Sequence, residues 1–478
     1  MTTFLPPVKV MALNNTTLAA LPPSVSPPGY RRELLEPAVV HIGVGHFHRA
    51  HEAVYLDDLA RLGERGWGLV GVGLHRPEMG EVLSRQDDLY LLLERHERRD
   101  HARVVGAMTR YLFAPDDPEA VLATLADPRT RLVTLTITGP GYRVGPRTGE
   151  FDAGDAEVAA DLAEPSRPRT VFGYVVEALA RRRRHGDAPF TVLSCDNMRD
   201  NGAAARTAIV SFAALRDPDL AAWIDRHVAF PSSMVDGITP ATSVDERHAI
   251  TAEFGVDDGW PVVTEPYRQW IVEDRFCNGR PPWEQVGVQL VPDVAPYQAM
   301  KTRLLNASHC ALGFLGTLGG HTTTCETLAD PVFAAYLDHL MADEVSPLLA
   351  PSPGIDVAAY RRSIARRLRH PRMGDPLERL RRRGAWKVGE YLVPSIAESI
   401  ERGRSPDLLV LAVAGWLVLE SAARGVERAA LLADADAFGP LSRDPRFAAA
   451  ARRAVGDLQR LGAHGAITAR LPHTRGSR

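Results

Sequence analysis

From residue 38 to residue 45 the chain reads Ala-Val-Val-His-Ile-Gly-Val-Gly. A short β-branched apolar run that ends in glycine suits a strand buried on both faces. Such strands belong to parallel sheets covered by helices. The next stretch, FHRAHEAVYLDDLARLG (47–63), carries apolar residues at helical spacing, with Gly63 as a stop. The pattern then repeats. GWGLVGVGL (66–74) reads as a strand, and PEMGEVLSRQ (77–86) as a helix opened by proline. RLVTLTIT (131–138) and FTVLSCDN (190–197) read as further strands, with helices between them. Alternation of this kind predicts a parallel, doubly wound α/β sheet.

The chain has 478 residues. Single cores stop growing at roughly 250–300 residues, so two domains are expected. The stretch 1–35, with LPPSVSPPGY at 21–30, reads as an irregular lead-in that covers a surface. The character changes near residue 290. From APYQAMKTRLLNASHCALGFLG onward the pattern is helical, as in DPVFAAYLDHLMADEV (330–345), DLLVLAVAGWLVLESAA (407–423) and FAAAARRAVGDLQRLGA (447–463). The expected division is an α/β domain over 1–289 and a mostly α-helical domain over 290–478. The tail LPHTRGSR is expected to fray. Arginine runs at 181–184, 366–367 and 381–383 read as solvated helix ends, where cations complement the dipole.

Composition excludes several classes. The net charge is −3, with 45% hydrophobic and 24% charged residues. That is ordinary for a folded globular chain and points to neither nucleic acid nor an anionic membrane. No apolar run approaches the roughly 18 residues of a membrane span. The start, MTTFLPPVKVMALNN, lacks the layout of a signal peptide, so a cytoplasmic location is expected. The cysteines, at 195, 277, 310 and 325, form no CxxC pair and signal neither a disulfide framework nor a cysteine zinc site.

Three segments carry candidate chemistry. Gly43-Val44-Gly45-His46-Phe47-His48-Arg49 stands at a strand-to-helix junction. Glycines there allow a tight turn and close approach of a pyrophosphate to free helix N–H groups. His48 occupies the place of the third fingerprint glycine, so a ligand-free packing turn is the alternative. Histidines 41, 46, 48 and 51 crowd the same stretch, yet their spacing fits no HExxH helix. His41 lies in the strand and the others start the helix, so their side chains are expected to diverge and no metal site is assigned. Ser194-Cys195-Asp196-Asn197-Met198 ends a strand, where the Asn197 amide could donate to a bound oxygen. Alternatively, Asp196 or Asn197 caps the next helix. Last, Lys301, Asn306 and His309 fall on one broad helical face, with Asn306 about 140° and His309 about 80° around from Lys301. A lysine among apolar neighbours loses its charge readily and becomes a usable general base. Asn306 could donate to a developing oxyanion, and His309 could orient base or substrate. A snorkelling lysine with a satisfied core histidine is the structural alternative.

Together these stretches resemble the polyol-specific long-chain dehydrogenases, the mannitol 2-dehydrogenase-like family. The resemblance spans roughly residues 36–400 and rests on GVGHFHRAH (43–51), SCDNM (194–198), MVDGITPAT (234–242), TEPYRQWIVED (264–274) and KTRLLNASH (301–309). It implies a Rossmann-type domain followed by a helical substrate domain. It also implies metal-independent hydride transfer between a sugar alcohol and a ketose, with mannitol and fructose first. D-arabinitol 4-dehydrogenase and fructuronate reductase activities are the alternatives, and a non-catalytic nucleotide- or sugar-binding regulator is the alternative of another class.

By the same resemblance Lys301 is the acid/base, Asn197 and Asn306 the oxyanion pair, and His309 a positioning residue. Gly43, Gly45, Phe47 and Arg76 fall at the cofactor, and Asp236, Arg379 and Lys387 at the substrate, which would sit between the two domains. The cofactor implied is NAD. NADP is an option because Arg76 would tolerate a 2′-phosphate. Partners are limited to the small-molecule substrate, in a monomer or small homo-oligomer. The chain departs from the family pattern at Gly139-Pro140, often Glu-Lys. It departs also at Gln298, often an acid, and at Arg383-Gly384-Ala385-Trp386.

Overall fold

The computed structural model describes residues 10–145, 148–351 and 354–472, so the start of the lead-in and the end of the LPHTRGSR tail lie outside the described residues. The chain divides into two compact units, Met1–Ala295 and Pro296–Arg478.

The first unit is built on a five-stranded sheet. Its order is Met108–Phe113, Gly68–Gly73, Pro37–Ile42, Leu132–Leu135, Thr191–Ser194, with every neighbouring pair parallel. Pro37–Ile42 lies in the middle. The chain winds from it to one edge and then returns to fill the other. Alternate residues of this strand enter different cores: Val40 and Ile42 pack on one side, Val39 on the other. Each apolar side chain so buried contributes about 1.5–3 kcal/mol, and burial on both faces explains the unbroken apolar run. The reversal of winding beside Pro37–Ile42 makes a switch point, the place where open α/β sheets hold ligands beyond the strand carboxyl ends.

Four expectations need correction here. The lead-in is not irregular throughout. Met11–Ala12 pairs with Val256–Asp257 and Val25–Ser26 pairs with the strand Asp100–Val105, because Leu13 and Val25 bury their side chains in a small third core. The helix read over 47–63 is broken at His51 (φ −126°, ψ −88°) into His46–Ala50 and Glu52–Arg61. The sheet is not the unit's only one. Tyr90–Arg95 and Asp100–Val105 form an antiparallel hairpin, and Ser233–Asp236 pairs antiparallel with Gln269–Glu273. Finally, Arg182 is not solvated but 1% exposed. Its guanidinium donates to the carbonyls of Ala188, Leu125 and Thr130, tying a helix end to the sheet's connections. Arg367, in the second run, is buried as well.

The described residues of the second unit form helices joined by short loops, with one isolated bridge between Thr323 and Pro376. Its centre is Asp407–Arg424, buried on every side from Leu408 to Leu417, which explains its lack of a polar stripe. Ala307–Leu318 and Pro445–Thr468 pack against it. Pro445–Thr468 turns sharply at Gly462 (φ 67°). The helix read over 330–345 is α-helical only through His339 and continues as a π turn, Leu340–Val345.

Candidate active site

The glycine turn closes directly on the central strand. Gly43 has φ +105°, and a Cβ there would meet the Thr136 carbonyl oxygen at 2.2 Å, so only glycine fits. Gly45 is extended, and a Cβ on it would meet only the Gly43 carbonyl, at 3.8 Å. The two glycines therefore serve different needs. Gly43 allows close packing against the neighbouring strand, whereas the missing side chain of Gly45 leaves open space over the start of His46–Ala50. That cradle fits a pyrophosphate.

Beneath the turn lies a buried polar network. His41 Nε2 is 2.9 Å from the Thr136 hydroxyl, which donates to the Gly43 carbonyl at 2.8 Å. His41 Nδ1 is 2.8 Å from the Thr134 hydroxyl, which donates to Glu52 at 3.0 Å. A carboxylate, an imidazole and two hydroxyls thus orient one peptide group of the turn. The histidines do not diverge as the sequence suggested. The His48 ring, on the short helix His46–Ala50 that follows the turn, stacks on His41 at 3.5 Å and 7°. Their in-plane lone pairs consequently lie in parallel planes and do not converge on one cation.

Arg49 is fully buried and donates to the Gly45 carbonyl at 3.3 Å, while its guanidinium lies over Tyr90. His46 accepts from the Trp260 indole at 3.3 Å, and burial, with Arg49 and Arg76 nearby, presses its pKa down to about 4. Arg76, the residue before the helix Pro77–Arg85, is exposed. Phe47 is half-buried and stacks on His51 at 4.7 Å.

At the carboxyl ends of the next two strands Asp196 is buried. It accepts from the Ile137 and Thr138 backbone N–H groups at 3.0 and 2.7 Å and from the Tyr142 hydroxyl at 2.7 Å. It does not cap the following helix, as the sequence allowed, but stitches two strand ends together. Burial raises its pKa, against these donors. The adjoining Asn197 is exposed. Thr138, Arg143 and Asp200 all take positive φ around it, the kind of local strain that gathers at functional sites. Asp236 ends its strand 2% exposed. A groove of about 980 Å³ opens at the opposite, amino ends of the strands. It is lined by compensating charges such as Arg32, Arg110, Asp87 and Asp127, and by none of the predicted site residues.

In the second unit Lys301 ends the helix Ala295–Lys301 and is 7% exposed, as is Asn306. His309 is half-buried. The uniform α-helix assumed from the sequence does not hold here, because Thr302–Asn306 is a π turn. Hydrogen bonds from i to i+5 bring a position five residues on towards the same side of the helix. Asn306 therefore lies nearer the Lys301 side than the α-helical figure of about 140°. Arg379 makes a bidentate pair with buried Asp375. Lys387 donates to the Leu380 carbonyl at 2.7 Å and the Arg379 carbonyl at 3.3 Å, and burial lowers its pKa. Another π turn, Val388–Leu392, follows Lys387 and packs on Thr302–Asn306.

Sequence reasoning passed over Arg49, Glu52, Thr134, Thr136 and Tyr142. Thr134 and Thr136 had a visible signal: polar residues two apart inside an apolar strand share one face and need partners there.

Two family models match the chain, the mannitol dehydrogenase Rossmann domain over residues 37–285 and the mannitol dehydrogenase C-terminal domain over 293–455. The chain belongs to the mannitol dehydrogenase family. A mannitol 2-dehydrogenase of Phaeosphaeria nodorum is 44% identical over 412 residues, covering 85% of this chain and 72% of that protein. One from Aspergillus clavatus is 39% identical, covering 95% and 98%. Among solved structures, the Pseudomonas fluorescens mannitol 2-dehydrogenase in ternary complex with NAD and D-mannitol has a TM-score of 0.88 at 40% identity, covering 96% of this chain and 99% of that one. A substrate-free D-sorbitol dehydrogenase has a TM-score of 0.87 at 36% identity, covering 96% and 100%. No helix among the described residues is long and apolar enough to cross a membrane.

Proposed function

We propose that this chain is a metal-independent, NAD-dependent oxidoreductase that interconverts D-mannitol and D-fructose by hydride transfer. One observation carries the reading: 40% identity across 96% of the chain to an enzyme whose structure holds NAD and D-mannitol.

The Gly43–Gly45 turn would hold the pyrophosphate on the open side of Gly45, with Phe47, two residues on, as a further cofactor contact. Arg76, just before the helix Pro77–Arg85, would be the residue to meet a ribose 2′-phosphate, which keeps NADP as the second cofactor. When bound, the dinucleotide supplies the hydride acceptor. Lys301, as the free amine, takes the proton of the reacting hydroxyl. The amides of Asn197 and Asn306 donate to that oxygen as it gains charge, and His309 holds Lys301 and the substrate in register.

Asp236, Arg379 and Lys387 bind the remaining hydroxyls. An ammonium has three donors, and Lys387 spends two on carbonyls, which leaves one for a ligand. The Arg379 charge is compensated by Asp375, so this cation suits a neutral polyol better than a carboxylated sugar. The four cysteines are free, which accords with a reducing, cytoplasmic setting, and we assign the chain there as a monomer or small homo-oligomer.

Initial rates on D-mannitol, D-sorbitol, D-arabinitol and D-mannonate, each with NAD and with NADP, test the reading. The highest kcat/KM is expected for mannitol with NAD. A clear preference for mannonate overturns the substrate, and cofactor binding with no turnover on any of them overturns the enzyme. D-sorbitol is included because of the likeness to the D-sorbitol dehydrogenase.

A further inference from the structure

The hairpin Tyr90–Arg95/Asp100–Val105 brings a second set of ligating side chains together, outside the residues used above. In its register Glu94 stands opposite His101 and Arg95 opposite Asp100. Side chains alternate between faces of a strand, and directly opposed residues share a face with Cβ atoms about 4.5–5.5 Å apart. Glu94 and His101 therefore point the same way, and His96, two residues past Glu94, continues on that face. His96 Nε2 is 3.8 Å from a Glu94 carboxylate oxygen. The His96 and His101 rings lie 4.3 Å apart at 36°. One donor atom from each of the three lies within 4.8 Å of the other two. A tetrahedral zinc ion with ligands at about 2.0–2.1 Å needs donor spacings of roughly 3.3 Å. Binding would draw the three donors together by rotation about their side-chain bonds.

The arginines of the two strands themselves are already paired. Arg95 lies on the opposite face and is held by Asp100 at 3.5 Å and Glu246 at 2.9 Å. Arg103, two residues past His101, is taken by Asp58 at 2.6 Å and Asp57 at 3.7 Å. Glu97, Arg98 and Arg99 are exposed at the hairpin tip. His101 is exposed, and Glu94 and His96 keep about a third of their side-chain surface open, although the His96 Nε2 atom itself is buried. The other histidine–carboxylate group, His41, His48 and Glu52, lacks this capacity. Its rings are parallel within 7°, and both His41 nitrogens already meet threonine hydroxyls.

The geometry points to a zinc-binding site formed by Glu94, His96 and His101, with water as the fourth ligand. Two imidazoles and one carboxylate are a donor set suited to Zn²⁺. The ion bridges the two strands of the hairpin, and because it binds the folded register it stabilises that register.

The test is a titration of the full-length, chelator-stripped protein with zinc chloride against a chromophoric zinc indicator, on the parent, His101→Ala and Glu94→Gln. The parent should take up one zinc per chain at micromolar concentration and gain in Tm. Loss of an outer-shell partner alone costs roughly 10–100-fold in metal affinity, so loss of the ligand His101 should weaken binding by at least about tenfold. Glu94→Gln should weaken it in the same direction. Both positions are solvent-accessible, so the metal-free Tm should match the parent. Absence of zinc uptake by the parent overturns the proposal. Parent-like affinity in both variants also overturns it, because the ion then sits elsewhere, for instance on the free Cys277 or Cys325.

Discussion

The glycine turn of the first unit and the lysine helix of the second hold their residues by opposite means. In the turn, shape is imposed by side chains. Glu52, His41, Thr134 and Thr136 fix the Gly43 peptide through four hydrogen bonds of 2.8–3.0 Å. In the lysine helix, the backbone itself departs from the regular form. π turns follow both Lys301 and Lys387, and the polar side chains sit among apolar residues such as Leu304, Leu305 and Val388. Side-chain hydrogen bonds hold one turn peptide in a fixed orientation, whereas a local change of helical pitch brings residues five apart towards one side.

The largest effect should come from the second unit. Lys301→Ala should lower kcat by about 10²–10⁴ and leave the affinity for NADH, followed by fluorescence titration, close to that of the parent. Near-parent kcat in this variant would show that Lys301 is not the acid/base. The first unit should fail differently. Gly43→Ala must push its Cβ against the Thr136 carbonyl at positive φ, at a cost of about 1–3 kcal/mol in urea unfolding. Gly45→Ala should leave stability nearly unchanged and weaken NADH binding, since its Cβ enters open space. Equal losses of stability in the two variants would erase the distinction drawn between the glycines. Thr136→Val, which strips His41 Nε2 and the Gly43 carbonyl of their shared partner, should cost about 1–3 kcal/mol and raise KM for NAD with little change in kcat.

The smallest effects are in pH dependence, where the two units should have opposite signs. His46 titrates near 4 in the fold, because of burial and then the nearby Arg49 and Arg76, against 6.5 ordinarily. The unfolded chain binds the extra proton first, so His46 makes stability fall as pH drops from about 6.5 to 4. Glu344 accepts from the Leu408 and Leu409 N–H groups at 2.7 and 2.9 Å, yet burial pushes it up to about 7 from 4.5. Here the folded chain holds the extra proton, so stability falls as pH rises from about 4.5 to 7. Tm measured between pH 4 and 8 should show the acid slope flattened in His46→Asn and the neutral slope flattened in Glu344→Gln. Unchanged slopes would mean that neither group titrates as described.

Much of this was legible in the chain because it depends on near neighbours. Val39, Val40 and Ile42 announced a doubly buried strand, and Gly43 announced a turn that no other residue could make. The long helix Asp407–Arg424 was readable to within a residue. What escaped was set by partners far away in the sequence. Met11 pairs with Val256, and Asp196 reaches back to Ile137 and Thr138. Arg182 looked solvated because charge runs usually are, and only the carbonyls of Leu125 and Thr130 reveal why it is buried. The stacking of His48 on His41 was invisible because it depends on how the turn sets the helix His46–Ala50 against the strand Pro37–Ile42.

The amino-acid order by itself determined the alternation of strands and helices, the position of the glycine turn and the identity of the residues able to carry acid/base chemistry. Periodicity, glycine stereochemistry and functional groups are properties of a residue and its near neighbours. The tertiary structure alone decided that the helix carrying Lys301 unwinds into a π turn, that three buried polar groups and the half-buried Thr136 converge under Gly43, and that Glu94, His96 and His101 share one face of a hairpin. Each of these depends on packing and register between segments distant in sequence, where the energy of one contact is small and the choice is made by the whole core.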